Sequence, residues 1–273
     1  MRPYKTKEEK ILTDPYFAYN FAFNLPSSFI EKDCNKDIIK NAQKVACKNP
    51  LYACLFAEYI KWADIEYCQK KACREPRYAY QFAANVIGAD IKYCQENACK
   101  EPGWAFYFAN NISGCDIEYC QEMACKDSYF AYMFAKYVPN ADIGYCQKYA
   151  CKSARCACLF AKDIPGADIE YCQKNACRSA RYAYDFALKI KCADINLCQS
   201  AACENPRFAV KFAVNISGAD INFCQEKACL EPEYAVSFAN SVPEADLFLC
   251  LEAVKGTKWE ERVRKLIVKK VMG

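Results

Sequence analysis

The chain has 273 residues, of which 53% are hydrophobic and 26% are charged, and its formal net charge is +4. This apolar content excludes an intrinsically disordered chain, and no apolar run of about 18 residues is present to cross a membrane. Histidine is absent, whereas cysteine occurs 22 times. Without histidine, Ser-His and Cys-His nucleophile pairs are impossible, so we expect no enzyme activity, no catalytic residues and no cofactor.

The first segment, residues 1–13, is polar and charged and is predicted to be a lead-in to the folded part. It has neither an apolar stretch nor a small-residue cleavage site. We therefore expect no secretory signal peptide there.

A unit of 26 residues then fills residues 14–254. A fixed period of this length is typical of stacked helical repeats. The sequence predicts an all-α fold, a right-handed-type α-solenoid of about nine helical hairpins. One Asp of the unit recurs without a change of register, at Asp64, Asp90, Asp116, Asp142, Asp168, Asp194, Asp220 and Asp246.

The first helix of each hairpin, helix A, is predicted to begin at a polar residue that is often followed by proline, as at Glu75-Pro76. Three positions are the same in all nine copies, represented by Ala79, Phe82 and Ala83. Their spacing places them on one helical face, so we expect them to form the core. Aromatic residues widen this face, and packing is favoured over a ligand groove.

The second helix, helix B, is predicted to begin at the recurrent Asp after a Gly- or Pro-containing turn such as Val86–Gly88. The eight Asp side chains could be read as a cation-binding row, but capping explains every copy. The first hairpin carries an insertion from Pro26 to Lys36 that breaks the spacing.

Residues 255–273 are predicted to form a basic helix that caps the open end of the array. Binding to an anionic membrane surface is the alternative for this helix. Its apolar face would contain Trp259, Val263, Leu266, Ile267 and Val271.

Helix B carries the pattern Cys-Gln-x-x-Ala-Cys. Residues five apart on a helix point about 140° away from each other, which disfavours a bond within one helix. The first B helix has Ala42 in place of its first Cys, and the last has Lys255 in place of its second. Pairing the second Cys of one hairpin with the first Cys of the next therefore leaves no ladder thiol over, whereas pairing within hairpins would leave Cys47 and Cys250 alone.

The sequence thus predicts eight disulfides, which we call the cysteine ladder: Cys47–Cys68, Cys73–Cys94, Cys99–Cys120, Cys125–Cys146, Cys151–Cys172, Cys177–Cys198, Cys203–Cys224 and Cys229–Cys250. Pairing the first Cys of one hairpin with the first Cys of another, and second with second, also uses every ladder thiol. It would, however, give successive junctions different crosslinks. Five residues rise about 7.5 Å along a helix, so neighbouring B helices must be staggered or inclined for the sulfurs to meet. Each bond would close a loop of roughly 20 residues and contribute on the order of 3 kcal/mol.

Six cysteines lie outside this ladder, and their roles stay open as buried thiols, extra bridges or links to another chain: Cys34, Cys54, Cys115, Cys156, Cys158 and Cys192. Zinc sites use close cysteine pairs, usually Cys-x₂₋₄-Cys, and normally two pairs for each ion. Here four residues separate each pair inside a helix, and no Cys-x-x-Cys occurs. We therefore expect no metal site.

The pattern Pro-x-x-Ala-Tyr-x-Phe-Ala, followed by a Val/Ile-x-Gly turn and Ala-Asp-Ile, resembles short helical repeats of phage, large-virus and some bacterial proteins. These belong broadly with tetratricopeptide-like α-solenoids, and the resemblance covers roughly residues 14–254. It implies a fold and says little about function. Such repeats carry aliphatic residues at the ladder positions, and this chain lacks the 34-residue period and the Trp-Leu-Gly signature of true tetratricopeptides.

The favoured function is a disulfide-crosslinked structural or interaction scaffold that binds a protein partner or its own copies. Disulfides indicate an oxidising setting, such as a virion, a secreted chain or a hyperthermophile's cytosol, and the many Asn and Gln argue against the last. Richness in Lys, Asn, Ile and Tyr favours a large virus.

Two alternatives remain. The first is anion or nucleic-acid binding by a basic row: Lys48, Arg74, Lys100, Lys126, Lys152 and Arg178. These side chains also complement the C-terminal dipoles of the B helices, and Glu204 and Leu230 interrupt the row. The second is a metal or redox protein with exposed thiols such as Cys156 and Cys158.

Overall fold

The computed structural model describes residues 7–26 and 36–272, which form 20 α-helices and contain no strand. The chain divides into two compact units, residues 1–141 and residues 142–273. The predicted insertion falls almost wholly on residues 27–35, and it lies outside the described residues together with Cys34.

The first unit contains an initial short helix followed by alternating A and B helices. The A helices are even-numbered and the B helices odd-numbered from α2 onward. The bounds are α1 Lys7–Ile11, α2 Pro15–Phe23, α3 Lys36–Ala46, α4 Pro50–Tyr59, α5 Ile65–Ala72, α6 Pro76–Asn85, α7 Ile91–Ala98, α8 Pro102–Asn111, α9 Ile117–Ala124 and α10 Ser128–Tyr137.

The second unit begins with a B helix, continues the alternation and ends with the C-terminal helix. Its bounds are α11 Ile143–Ala150, α12 Ala154–Asp163, α13 Ile169–Ala176, α14 Ala180–Lys189, α15 Ile195–Ala202, α16 Pro206–Asn215, α17 Ile221–Ala228, α18 Pro232–Ser241, α19 Leu247–Val254 and α20 Glu260–Met272.

Within each unit, an A helix packs against the B helix that follows it and against the next A helix. Each B helix also packs against the A helix that follows it. This arrangement confirms the predicted all-α array of 26-residue hairpins, in which each hairpin contacts mainly its neighbours.

The invariant phenylalanine of helix A forms the centre of the core. Ala79 and Phe82 are fully buried, as are their equivalents in the later repeats, whereas Phe21 of the first hairpin is half-buried. Aromatic rings on successive A helices contact each other, with centroids 5.4 Å apart for Tyr80 and Trp104. The fully buried phenylalanines are Phe56, Phe82, Phe108, Phe134, Phe160, Phe186, Phe212 and Phe238.

The recurrent Asp caps helix B as the sequence predicts. The Asp90 carboxylate accepts a hydrogen bond from the Tyr93 backbone N–H at 3.0 Å, and the other seven copies form the same kind of bond. In the preceding turn Gly88 has φ +84°, a left-handed conformation that also occurs at Gly114, Gly166 and Gly218. Asn140 adopts the same region, with φ 62°.

The C-terminal helix α20 packs against α18 and α19 at the end of the second unit. Val263 is fully buried there, and Leu266 and Ile267 are half-buried. On the outer side, Lys270 donates a hydrogen bond from Nζ to the Pro243 carbonyl oxygen at 3.1 Å. Among the helices that the structure describes, none has both the length and the apolar character needed to cross a bilayer.

Candidate functional site: cysteines and glutamines between successive B helices

The structure brings cysteines of successive B helices together in the pattern expected for the ladder. In seven junctions, the second Cys of one hairpin lies beside the first Cys of the next. The Sγ–Sγ distances are 3.6 Å for Cys47–Cys68, 3.7 Å for Cys73–Cys94, 3.6 Å for Cys99–Cys120, 3.6 Å for Cys151–Cys172, 4.0 Å for Cys177–Cys198, 3.6 Å for Cys203–Cys224 and 3.9 Å for Cys229–Cys250.

These distances are van der Waals contacts between thiols, since a disulfide bond is about 2.05 Å long. The covalent bonds predicted from the sequence are therefore not formed in this structure. Cys177 and Cys229 are half-buried and the other twelve sulfurs of these pairs belong to buried residues. Cys125 and Cys146 belong to different units, and their pairing stays a prediction.

The pairing requires an offset of five residues between neighbouring B helices. Cys73 is the C-cap residue of α5, whereas Cys94 lies in the middle of α7. The two are 21 positions apart, which is the 26-residue period less five. This offset corresponds to about 7.5 Å along a helix axis. It is the stagger between B helices that the predicted cysteine pairing requires, and the sequence pattern alone does not show how it arises.

A buried glutamine fixes this offset, a role that the sequence analysis missed. The Gln69 Nε2 donates to the Asp90 carbonyl oxygen at 2.7 Å, while its Oε1 accepts the Asp90 backbone N–H at 3.1 Å. We call this two-point contact the glutamine bridge. The bridges join Gln43 to Asp64, Gln69 to Asp90, Gln95 to Asp116, Gln147 to Asp168, Gln173 to Asp194, Gln199 to Asp220 and Gln225 to Asp246.

The glutamine bridge and the cysteine pair form one unit. Gln69 and Cys73 are four positions apart on α5, so they share a face, and Asp90 and Cys94 are four apart in the next repeat. The Gln69 Nε2 also donates to the Cys94 sulfur, at 3.1 Å. Equivalent bonds of 3.0–3.2 Å occur in the other six bridges.

The amide nitrogen and the amide oxygen of each bridging glutamine therefore both form hydrogen bonds. The bridging glutamines are at most 5% exposed. Among the described residues, no buried side-chain nitrogen or oxygen lacks a hydrogen-bond partner. This matters because an unsatisfied buried polar group costs about 1–3 kcal/mol.

The repeat ends contain the signal that could have revealed the bridge. Gln43 precedes Cys47 in the first B helix, although that helix lacks its first ladder Cys. The last B helix has Leu251 where the earlier copies have Gln, and no further B helix of the repeat follows it. The glutamine is thus kept only where a following repeat supplies an Asp backbone.

The hydrogen bond between paired thiols shifts the pKa of several of them. The hydrogen bond to the Cys94 sulfur, together with burial, raises the pKa of Cys73. The hydrogen bond between Cys177 and Cys198, again with burial, raises the pKa of Cys198, and the same hydrogen bond lowers the pKa of Cys177. Since the thiolate is the reactive form, the thiol with the lowered pKa is the more reactive member of such a pair.

The cysteines outside the ladder occupy different surroundings. Cys54 and Cys158 are buried on helix A, and burial raises their pKa to about 12 and about 11. Cys156 is also buried, so the expectation that Cys156 and Cys158 are exposed thiols is wrong. Both positions face neighbouring helices, where other repeats have aromatic rings. Cys192 is exposed.

Cys115 is the exception among these, because it lies beside the ladder. It precedes the capping Asp116, at the position of Ala89 one repeat earlier. Burial is the main cause that raises the pKa of Cys115 to about 11. The charge of Cys120 and a hydrogen bond with Cys120 raise it further. One junction therefore has a third cysteine in contact with its pair.

The basic row lies on the surface, and its members have local contacts. Lys100 donates to the Asn97 Oδ1 at 2.7 Å, and the Lys152 ammonium lies 4.3 Å from the Tyr149 ring centroid. All six residues, Lys48, Arg74, Lys100, Lys126, Lys152 and Arg178, are exposed just after the ends of B helices. Groups of three or more Cys, Asp or Glu that could hold a metal do not occur within residues 7–26 and 36–272.

Comparison with known proteins gives no matching family model, no matching curated protein and no matching solved structure. The resemblance to viral and bacterial helical repeats therefore stays a prediction.

Proposed function

We propose that this protein is a non-enzymatic scaffold whose successive hairpins become crosslinked by disulfides in an oxidising setting. The crosslinked array would act as a structural support or as a binding surface for a protein partner or for further copies of itself. A virion, a fibre or an extracellular surface is the setting that suits it.

The observation that supports this proposal is the regular placement of the sulfurs. Seven cysteine pairs lie at Sγ–Sγ distances of 3.6–4.0 Å, each between successive repeats. Bond formation needs an approach of about 1.5–2 Å, which side-chain rotation and small helix shifts can supply. Disulfides are rare in a cytosol that keeps thiols reduced, so this many aligned cysteine pairs favours an oxidising setting.

Crosslinks at every junction would change the mechanics of the array. A repeat protein can open locally, because each hairpin depends on its neighbours alone. A bond between consecutive B helices prevents one hairpin from separating while the rest stays folded. We therefore propose that the disulfides make the protein resistant to proteolysis, heat and mechanical load.

The proposal is tested by comparing reduced and oxidised protein. Protein refolded in a glutathione redox buffer is expected to lose two hydrogens per bond in intact mass and to resist protease for longer than the same protein in reductant. Alkylation of all ladder thiols in unreduced protein from its natural source contradicts the proposal.

Anion binding by the basic row is the second candidate, and the exposure of all six residues favours it. A single-stranded oligonucleotide should then bind at low salt and lose affinity steeply between about 50 and 200 mM salt. Failure to bind at low salt removes this candidate and leaves the scaffold proposal untouched.

A further inference from the structure

The second unit contains a cavity surrounded by cationic side chains that neither the cysteine ladder nor the basic row uses. Its volume is about 390 Å³, and it lies between the A helices α12 and α14. The residues that line it are Arg155, Cys158, Leu159, Lys162, Arg181, Tyr182, Asp185 and Lys189. We call it the basic cavity.

The cavity lies where the repeat that contains Cys158 lacks an aromatic ring. Cys158 occupies the position that Tyr184 occupies one repeat later. In that later repeat, the Tyr184 ring contacts Phe208, with centroids 5.9 Å apart, and fills the corresponding space. The smaller Cys158 side chain leaves the space in front of Tyr182 open.

The charges around this space are strongly unbalanced. Four cationic side chains line the cavity and one carboxylate accompanies them, which leaves a formal excess of three positive charges. The Asp185 carboxylate lies 3.4 Å from the Lys189 ammonium, and the Asp163 carboxylate, which does not line the cavity, lies 4.0 Å from the Lys162 ammonium. Burial raises the pKa of the Cys158 thiol to about 11, so this thiol adds no negative charge at neutral pH.

Another repeat pair has the same Cys and Tyr but only one of these four cations, since Arg77 occupies the position of Arg181. Cys54 and Tyr78 lie four repeats before Cys158 and Tyr182. Leu51, Glu58 and Asn85 stand there in place of Arg155, Lys162 and Lys189. Glu58 accepts a hydrogen bond from the Asn85 side chain at 3.4 Å. Packing of the repeat therefore does not require Arg155, Lys162 or Lys189.

We propose that the basic cavity binds a small anion that carries one or more phosphate groups. The guanidinium groups of Arg155 and Arg181 would each bind phosphate oxygens in pairs, a geometry for which arginine is suited. Lys162 and Lys189 would neutralise the remaining charge. A volume of this size falls in the range of small-ligand sites, about 300–1,000 Å³, and exceeds what a single chloride needs.

Isothermal titration calorimetry with sodium pyrophosphate at constant ionic strength tests this proposal. We expect saturable binding to the wild-type chain, and R181Q should weaken it by about tenfold or more, as loss of a charge-assisted bidentate contact does. The matched control is R207Q, because Arg207 occupies the same repeat position on α16, is exposed and lies outside the cavity. It should bind within about twofold of wild type.

A second variant, C158Y, restores the ring found in the next repeat and should abolish binding by filling the cavity. If C158Y fails to fold, the R181Q and R207Q comparison decides alone, because both arginines are exposed. No saturable heat with the wild type, an equal loss in R207Q, or tighter binding of malonate than of pyrophosphate would overturn the proposal.

Discussion

The Gln69 side chain holds the Asp90 backbone at two points, with Nε2 donating at 2.7 Å and Oε1 accepting at 3.1 Å. Asp90 is the N-cap of α7, so this amide fixes the start of one B helix against the middle of the preceding one. The same contact sets the five-residue offset in which Cys73 meets Cys94. Register therefore depends on the glutamine, and a disulfide would lock a register that already exists.

Replacing a bridging glutamine should loosen one junction. We expect Gln199→Leu to lower the free energy of unfolding by about 1–3 kcal/mol, because the Asp220 backbone loses its partner and the amide is replaced by an apolar group. Hydrogen exchange at the Asp220 amide should accelerate as well. Urea unfolding and exchange mass spectrometry measure the two effects.

Ser200→Leu is the matched control, because Ser200 is the exposed neighbour of Gln199 on α15. Its effect on unfolding should stay within about 0.5 kcal/mol. Unchanged exchange at Asp220 in the Gln199 variant would show that the bridge does not set the register.

Oxidation should stabilise the protein, and each bond should account for part of the gain. A bond between Cys203 and Cys224 closes a loop of about 20 residues, which corresponds to roughly 3 kcal/mol in the chain-entropy model. In the double variant C203A/C224A, the oxidised-minus-reduced difference in unfolding free energy should shrink by an amount of this order. A difference equal to that of the wild type would mean that this pair does not form a bond.

The reduced protein should lose stability in alkaline solution. Burial raises the pKa of Cys54 from 9.0 to about 12 and that of Cys158 from 9.0 to about 11. Above pH 9 the unfolded chain releases these protons while the folded chain keeps them, so the unfolded state binds fewer protons and unfolding becomes easier. The stability is complete below about pH 9 and falls as the pH rises through 11.

Urea unfolding of the reduced protein at a series of pH values measures this slope. Cys54→Ala should flatten it, while Cys192→Ala, which removes an exposed thiol, should leave it unchanged. An identical slope in Cys54→Ala would rule out burial of that thiol as a cause.

Cys115 should make one junction heterogeneous. If a Cys99–Cys120 disulfide forms, the Cys115 thiolate can attack the Cys120 sulfur, form a Cys115–Cys120 bond and release Cys99 as the thiolate. Peptide mapping after partial oxidation should then give both bonds here and a single bond for Cys73–Cys94. The Cys115→Ala variant, which restores the residue of the other repeats, should give Cys99–Cys120 alone.

Raising the pH should speed this exchange, because burial raises the pKa of Cys115 to about 11 and the thiolate is the attacking form. Absence of the Cys115–Cys120 peptide at every pH would show that the third thiol cannot reach the bond.

Local and periodic features of this fold can be predicted from the sequence. The Asp90 cap, the Gly88 turn and the buried Phe82 each follow from a short pattern that recurs in register. The pairing of Cys73 with Cys94 follows from the unmatched positions at the two ends of the array. In each case the sequence itself supplies the comparison, because one repeat can be read against the next.

The glutamine bridge and the basic cavity are harder to predict, for different reasons. A glutamine inside a polar eight-residue helix gives no sign of burial, and its traces in the sequence are Gln43 and Leu251 at the two ends of the array. The cavity depends on how closely α12 approaches α14, which spacing does not reveal. The burial of Cys156 and Cys158 is not apparent from local composition, because it depends on neighbouring helices.

The central claim is that the aligned thiols become bonds between successive hairpins. The most direct measurement is disulfide mapping of protein oxidised in a glutathione buffer, with free thiols alkylated before digestion. The account predicts bridged peptides for Cys47–Cys68, Cys73–Cys94 and the remaining ladder pairs, each joining adjacent repeats. Alkylated ladder cysteines at the junctions other than Cys99–Cys120, or bonds between the two ladder cysteines of one B helix, would contradict it.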